Sequence, residues 1–469
     1  MVNVVLISLD TLRADRLNCY GYRTRIVSPN IDALARDGVL FETHIAAAPW
    51  TTPSHMSLFT SLVPTSHGVT ASFEGISKVM HTTQRPGDYE RLASSKTTLA
   101  EVFAREGFAT GAFTGGKALD PRIGFDRGFA VYETSMFRLN TKNVGRMCSW
   151  IDGQQDRPFF LFWHTYQVHG PYLETTFLAD VLPRKKAAHL EAAYQRLPPA
   201  EQPESAKPVQ ILRDFGAFDP VASDALYTGG VRAADRWVGE FVDSLKKKGL
   251  YHQTLIVLTS DHGEQLGERP LDAGDWCYSS WYDCHGQTVF DELIHVPLIV
   301  KLPGERHAGV RVPSVSSTVD VMPTILDVAA VRGPTTQMQG ESLRSRWEGG
   351  VQGPPRFAYS ESLAGHAEAK SVRSEHLKYI VRIPAGTVAQ SGRAFIPSAP
   401  DTRELYDLVA DPGETHNLLL PNADPARERL ATVLDAALRR QTAGRVGQAE
   451  RQTLDKETID RLRSLGYVR

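Results

Sequence analysis

Leu255-Ile256-Val257-Leu258-Thr259-Ser260-Asp261-His262-Gly263 sets a short aliphatic run against a carboxylate, an imidazole and a glycine. A run this short and this apolar predicts a strand buried on both faces, the kind found in parallel sheets covered by helices. The amino terminus has the same layout, Val4-Val5-Leu6-Ile7-Ser8-Leu9 closing on Asp10. Residues 108–113, 158–163 and 297–301 read as three more such strands. Between them lie helical patterns over residues 31–37, 97–106 and 224–248, the last amphipathic and ended by Gly249. Strands alternating with helices predict an α/β domain, a large mainly parallel sheet sandwiched by helices. Ligands of such sheets collect at the carboxyl ends of the strands, and Asp10 and Asp261 sit just past two of them.

The chain has 469 residues, 42% hydrophobic and 23% charged, enough for one large core and a smaller appendage. We expect an α/β catalytic domain over residues 1–360, with insertions at about 184–220 and 271–284. The first is rich in charge, Pro and Ala; the second carries Trp276, Tyr278, Trp281 and Tyr282, an aromatic rim able to grip a sugar, a nucleobase or an aryl group. Residues 361–469 change character to short alternating strands, 371–382 and 403–408, and a terminal helix, predicting a small antiparallel α+β subdomain.

A formal net charge of −2 leaves no electrostatic footprint for nucleic acid or an anionic membrane. No apolar run reaches the length of a membrane span. Cys19, Cys148, Cys277 and Cys284 are scattered and form no CxxC pair, which reads as reduced thiols. The start of the chain enters a strand at once, without a leader, so a cytoplasmic location is expected, or export if a leader has been removed. The partner expected is a small anionic ester; the sequence says nothing of oligomeric state.

The chemistry centres on Pro49-Trp50-Thr51-Thr52-Pro53-Ser54-His55. Taken singly, Asp10 reads as a helix cap and Asp261-His262-Gly263 as a turn. Together with Thr51 they form a mixed oxygen and nitrogen set for one divalent metal ion, better suited to Mn²⁺, Zn²⁺ or Mg²⁺ than to Ca²⁺. Such an ion lowers the pKa of the Thr51 hydroxyl and aligns it for in-line attack.

Four blocks occur in the order found in the sulfatase family of the alkaline phosphatase superfamily, and the chain resembles that family over nearly its whole length. They are Ile7 to Asp15, Ala48 to His55, Thr259 to Gly267, and His295-Val296-Pro297-Leu298-Ile299-Val300; Glu404-Leu405-Tyr406-Asp407-Leu408 with Asp411-Pro412-Gly413-Glu414 is similar to its carboxyl-terminal signature. The resemblance implies Asp10, Asp261 and His262 as metal ligands and Thr51 as nucleophile and direct ligand. It places His169 as the residue that binds the anion and protonates the leaving group, with His285 near the position of a substrate-binding Lys or His. His55, Lys117 and His164 complete the expected substrate-binding set.

Four departures from the family pattern bear on the reaction. In sulfatases the Thr51 position is a Cys or Ser oxidised to formylglycine, and the extra methyl of a threonine prevents that conversion, so no formylglycine is expected. Thr11 replaces a second acidic ligand, and His55 replaces an arginine. Both changes lower the charge available and, with His262 in place of Asn, point toward phosphate monoesters, phosphodiesters or phosphonate esters. The alternatives are a sulfate ester hydrolase without formylglycine, a two-metal enzyme using His169, His285 and Asp283, and a catalytically idle metal-binding protein.

Overall fold

The computed structural model describes residues 2–70, 88–154, 157–170, 172–195, 220–269, 285–286, 288–349, 356–363, 367–384, 402–419, 424–442 and 450–453. Its strands are β1 (Asn3–Leu9), β2 (Val39–Ile45), β3 (Asp88–Arg91), β4 (Ala109–Phe113), β5 (Val131–Glu133), β6 (Phe159–Thr165), β7 (Thr254–Thr259) and β8 (His295–Lys301). There follow β9 (Val310–Val312), β10 (Ser316–Ser317), β11 (Ala358–Ser362), β12 (Ala367–Arg373), β13 (Leu377–Pro384), β14 (Thr402–Asp407) and β15 (Glu450–Thr453). The large sheet runs β10-β2-β8-β7-β1-β6-β4-β5, with β9 paired to β2. From β7 to β5 it is parallel, and β8 lies antiparallel to both β7 and β2.

The central strands are mostly apolar because both faces are covered. Val5, Ile7 and Leu9 of β1 enter one core cluster and Val4 and Leu6 the other. The first cluster is closed by the helix Pro220–Lys247 through Tyr227, Val231, Trp237, Phe241 and Leu245. That helix begins four residues before the expected 224 and stops at Gly249, whose φ of 69° ends a helix without the penalty a Cβ brings. The second cluster takes Met56, Leu58 and Phe59 from the helix Thr51–Thr60, every residue of which is buried.

The second sheet is antiparallel, β11-β12-β13-β14. Residues 371–382 form two strands rather than the single one the alternation predicts. Ser374 makes the turn, its hydroxyl accepting from Leu377 N at 3.0 Å, although Ser374-Glu375-His376 contains neither Gly nor Pro to announce it. One face of the sheet, with Val372, Tyr379 and Val381, packs against Ala431, Leu434 and Leu438 of the helix Pro425–Thr442. The other, with Ala369, Ile380 and Tyr406, packs on Ile45, Val289, Phe290 and Leu293 of the main body. The first expected insertion contains the helix Arg184–Tyr194, and its residues 196–219 lie outside the described residues, as does all of 271–284 with Trp276, Tyr278, Trp281, Tyr282 and Asp283.

Candidate active site

The sheet order sets the carboxyl ends of β7, β1, β6 and β4 side by side. Asp10 follows β1, Asp261 and His262 follow β7, and His164 lies near the end of β6. The chain turns sharply after Asp10, where Thr11 takes a φ of 59°, rare for a β-branched residue and a mark of a site that the surroundings over-determine. Tyr227 supports this turn, donating to Thr11 O at 2.7 Å and accepting from Arg13 N at 3.0 Å. The Thr11 hydroxyl donates back to Asp10 O at 2.7 Å. At the position where an acid was expected in formylglycine sulfatases, this side chain is therefore engaged with backbone.

Thr51 opens the helix Thr51–Thr60 and is 4% exposed. Its hydroxyl lies 3.3 Å from Asp10 Oδ2, to which it donates, and 3.2 Å from His262 Nε2. A helix amino terminus stabilises negative charge, and Thr51 Oγ1 lies at one. Two side chains lock the helix onto the strand ends. Ser54 donates to Asp261 O at 2.6 Å; His55 Nδ1 donates to Thr51 O at 3.0 Å while its Nε2 accepts from the Ser8 hydroxyl at 2.9 Å. With burial lowering its pKa, His55 is a neutral brace between helix and β1.

Asp10, Asp261 and His262 bring one ligand atom each to within 4.8 Å of one another, all three buried. Asp10 Oδ1 and Asp261 Oδ2 are buried without a hydrogen-bond partner. Burial, and then the neighbouring Asp261 carboxylate, push the Asp10 pKa up, so two anions here call for a cation. His262 Nδ1 donates to Gly263 O at 2.8 Å, leaving the Nε2 lone pair on the cluster side, and burial pushes its pKa down to about 4. Two orphaned carboxylate oxygens, a neutral imidazole nitrogen and a hydroxyl fit a divalent metal ion.

The remaining expected residues divide by contact. His164 is fully buried, its Nε2 donating to Asp10 Oδ2 at 3.0 Å and its Nδ1 accepting from Gly115 N at 3.2 Å, so it orients Asp10. His169 Nδ1 donates to Gly170 O at 2.5 Å, and its ring centroid lies 5.2 Å from that of His285. His285 lies 4.3 Å from His262, centroid to centroid and tilted by 40°, completing a run of rings beside Thr51. Lys117 begins a 3-10 turn just past β4, and its side chain lies outside the described residues. Two contributors carried no assignment from sequence. Glu264 was visible in the Asp261-His262-Gly263-Glu264 block, and its Oε1 meets His285 Nδ1 at 3.0 Å. Arg138 binds Tyr166 O and, at 3.0 Å, His169 O, clamping the His169 turn from an irregular stretch with no sequence signal.

The family model described as Sulfatase matches residues 2–331. An ulvan-active sulfatase of Formosa agariphila is 27% identical over 473 residues, covering 94% of this chain and 81% of the relative. A choline-sulfatase of Rhizobium meliloti is 23% identical, covering 89% and 82%. The structure of a phosphonate monoester hydrolase of Agrobacterium radiobacter superposes with a TM-score of 0.65 at 23% identity, covering 97% of each chain.

Proposed function

Because the chain belongs to the sulfatase family, we propose that it hydrolyses phosphate mono- or diesters or phosphonate esters, with Thr51 as the nucleophile. The observation that carries this reading is Thr51 Oγ1 at 3.3 Å from Asp10 Oδ2 and 3.2 Å from His262 Nε2, a hydroxyl set into the ligand cluster. Asp10, Asp261, His262 and Thr51 would hold the divalent ion, which supplies Lewis acidity toward the nucleophile and the transferred group.

The residues then have separate tasks. Asp10 Oδ2 accepts the Thr51 O–H, so the proton has a receiver before the hydroxyl attacks phosphorus. The helix amino terminus favours the charge that develops at Thr51. His169 or His285 gives a proton to the departing oxygen, and water then cleaves the phosphothreonine as an imidazole takes the proton back. His164 and His55 hold Asp10 and the helix, so that the oxygen is aimed before substrate arrives.

Thr51→Ala protein loaded with Mn²⁺ tests this against aryl phosphate, aryl phosphodiester and aryl phosphonate ester. Loss of turnover by at least about 10³-fold with metal content retained is expected; retained activity sinks the assignment. A second reading, sulfate ester hydrolysis without formylglycine, is favoured by the similarity to the ulvan-active and choline sulfatases. Aryl sulfate in the same panel separates the two.

A further inference from the structure

We propose that Glu264 is the positioning residue for the leaving-group imidazole and that His285 is the imidazole it serves; this rests on the ester-hydrolase reading above. Glu264 is fully buried, and its Oε1 stands 3.0 Å from His285 Nδ1. A carboxylate offers only acceptors, so this contact places a proton on Nδ1 and fixes both the tautomer and the plane of the ring. Exchange with substrate then falls to Nε2. The ring so held lies 4.3 Å from His262 and 5.2 Å from His169, centroid to centroid, on the run that leads to Thr51.

Both partners stand on braced backbone. Arg13 Nη1 donates to Glu264 O at 2.9 Å, and Gly263 N donates to Leu293 O at 2.8 Å. Gly263 packs so closely that an added Cβ would meet Glu292 O at 2.1 Å. On the His285 side, Ser362 of the second sheet donates to Gly286 O at 2.5 Å. A carboxylate carried into the interior and aimed at one imidazole nitrogen in this way resembles, in logic, the carboxylate that orients the histidine of a catalytic triad.

The step balances simply. As the phosphorus–oxygen bond to the leaving group breaks, its electron pair goes to that oxygen, which takes the proton from Nε2. His285 is left neutral with Nδ1–H still on Glu264. When water attacks the phosphothreonine, Nε2 takes one proton from it, the phosphorus–oxygen bond to Thr51 breaks with its electron pair on Oγ1, Oγ1 recovers its proton from Asp10, and the cycle closes. Glu264 acts on the leaving group through His285.

The test uses metal-loaded full-length protein with ¹⁵N-histidine labelling. Long-range ¹H–¹⁵N spectra, with His285 assigned by its loss in H285Q, should show an Nδ1-protonated ring that loses this tautomer in E264Q. In parallel, kcat/KM is measured on aryl methyl phosphodiesters with leaving groups from 4-nitrophenol to phenol. E264Q should lose about 100-fold on the phenol ester and less than about 10-fold on the 4-nitrophenol ester. Its metal content should hold, and the double variant E264Q/H285Q should be no slower than H285Q. If E264Q does not fold, E264D, which keeps the charge at shorter reach, replaces it with the same pattern at smaller size. An unchanged His285 tautomer, a loss equal across leaving groups, or additivity in the double variant overturns the proposal. Inactivity of the unmodified protein toward every ester fails the ester reading instead, and the tautomer spectra still decide the role of Glu264.

Discussion

His164 shows how a residue can matter to the centre without entering it. Its Nε2–H binds Asp10 Oδ2, and its Nδ1 is fixed by Gly115 N, so it selects the oxygen that Asp10 leaves without a partner. Groups of this kind set ligand orientation, and removing them typically costs about 10- to 100-fold in metal affinity. We therefore expect His164→Gln to raise the Mn²⁺ dissociation constant by that factor in chelator competition, with stoichiometry still one ion per chain. Unchanged affinity would show that Asp10 needs no such support. At this scale the sequence was legible where identity alone carries chemistry. Asp10, Asp261 and His262 follow strand ends, Thr51 opens a helix, and the structure brings the four side chains together. The partnerships of Glu264 with His285, and of Arg138 with the His169 turn, join residues far apart in the chain, and no local pattern encodes them.

The register of the helix Thr51–Thr60 sets where the Thr51 hydroxyl lies, and a short neighbouring turn, Pro64–His67, packs against it. His67 is buried, accepting at Nδ1 from Val69 N at 3.1 Å and donating at Nε2 toward Pro53 O at 3.2 Å. Burial pushes its pKa down to about 3, and His44, buried beside Ser316, is pushed down to about 3 as well. Both are neutral in the folded protein. Above the unfolded pKa of about 6.5 neither state takes a proton, so these groups give no pH dependence. Below it only the unfolded chain protonates, and each group removes about 1.4 kcal/mol of stability per pH unit until the pH nears the folded value. The expected result is a urea midpoint that falls from pH 6.5 toward pH 4, with a slope shallower by one proton in His67→Gln. An identical slope in the variant would mean that His67 is protonated in the native state. Among the elements themselves, strands buried on both faces were readable because their apolar runs have no competing period. The hairpin at Ser374 was not, because alternation continues across a turn that a serine hydroxyl makes and no glycine marks.

Across the whole molecule, the second sheet is fastened to the body through apolar contact and one buried ionic cluster. Asp291 accepts from Arg373 at 2.8 Å and from Lys378 at 2.9 Å, and its backbone N donates to Glu414 at 2.7 Å. Lys378 is fully buried, and Arg269 lies over the Phe290 ring at 3.3 Å while pairing with Glu292. Composition anticipated a second unit after the main one, but a net charge of −2 conceals this cluster, because its acids and bases cancel in the sum. The consequence is specific. Asp291→Ala leaves Arg373 without a carboxylate and Lys378 with Glu414 alone, at 2.9 Å, a loss on the order of 3 kcal/mol, whereas pairing Asp291→Leu with Lys378→Met removes one charge of each sign and should cost less. Because Ser362 binds Gly286 next to His285, undocking should also disturb the His285 ring. Asp291→Ala is thus expected to show an early thermal transition, tryptic cleavage beyond residue 356 and a fall in kcat, with the double substitution recovering most of the lost melting temperature. A single cooperative transition within about 1 kcal/mol of the parent protein would assign the docking energy to the apolar contacts of Ile45, Phe290 and Ile380 and to the hydrogen bonds of Ser360, Glu361 and Ser362 with the body.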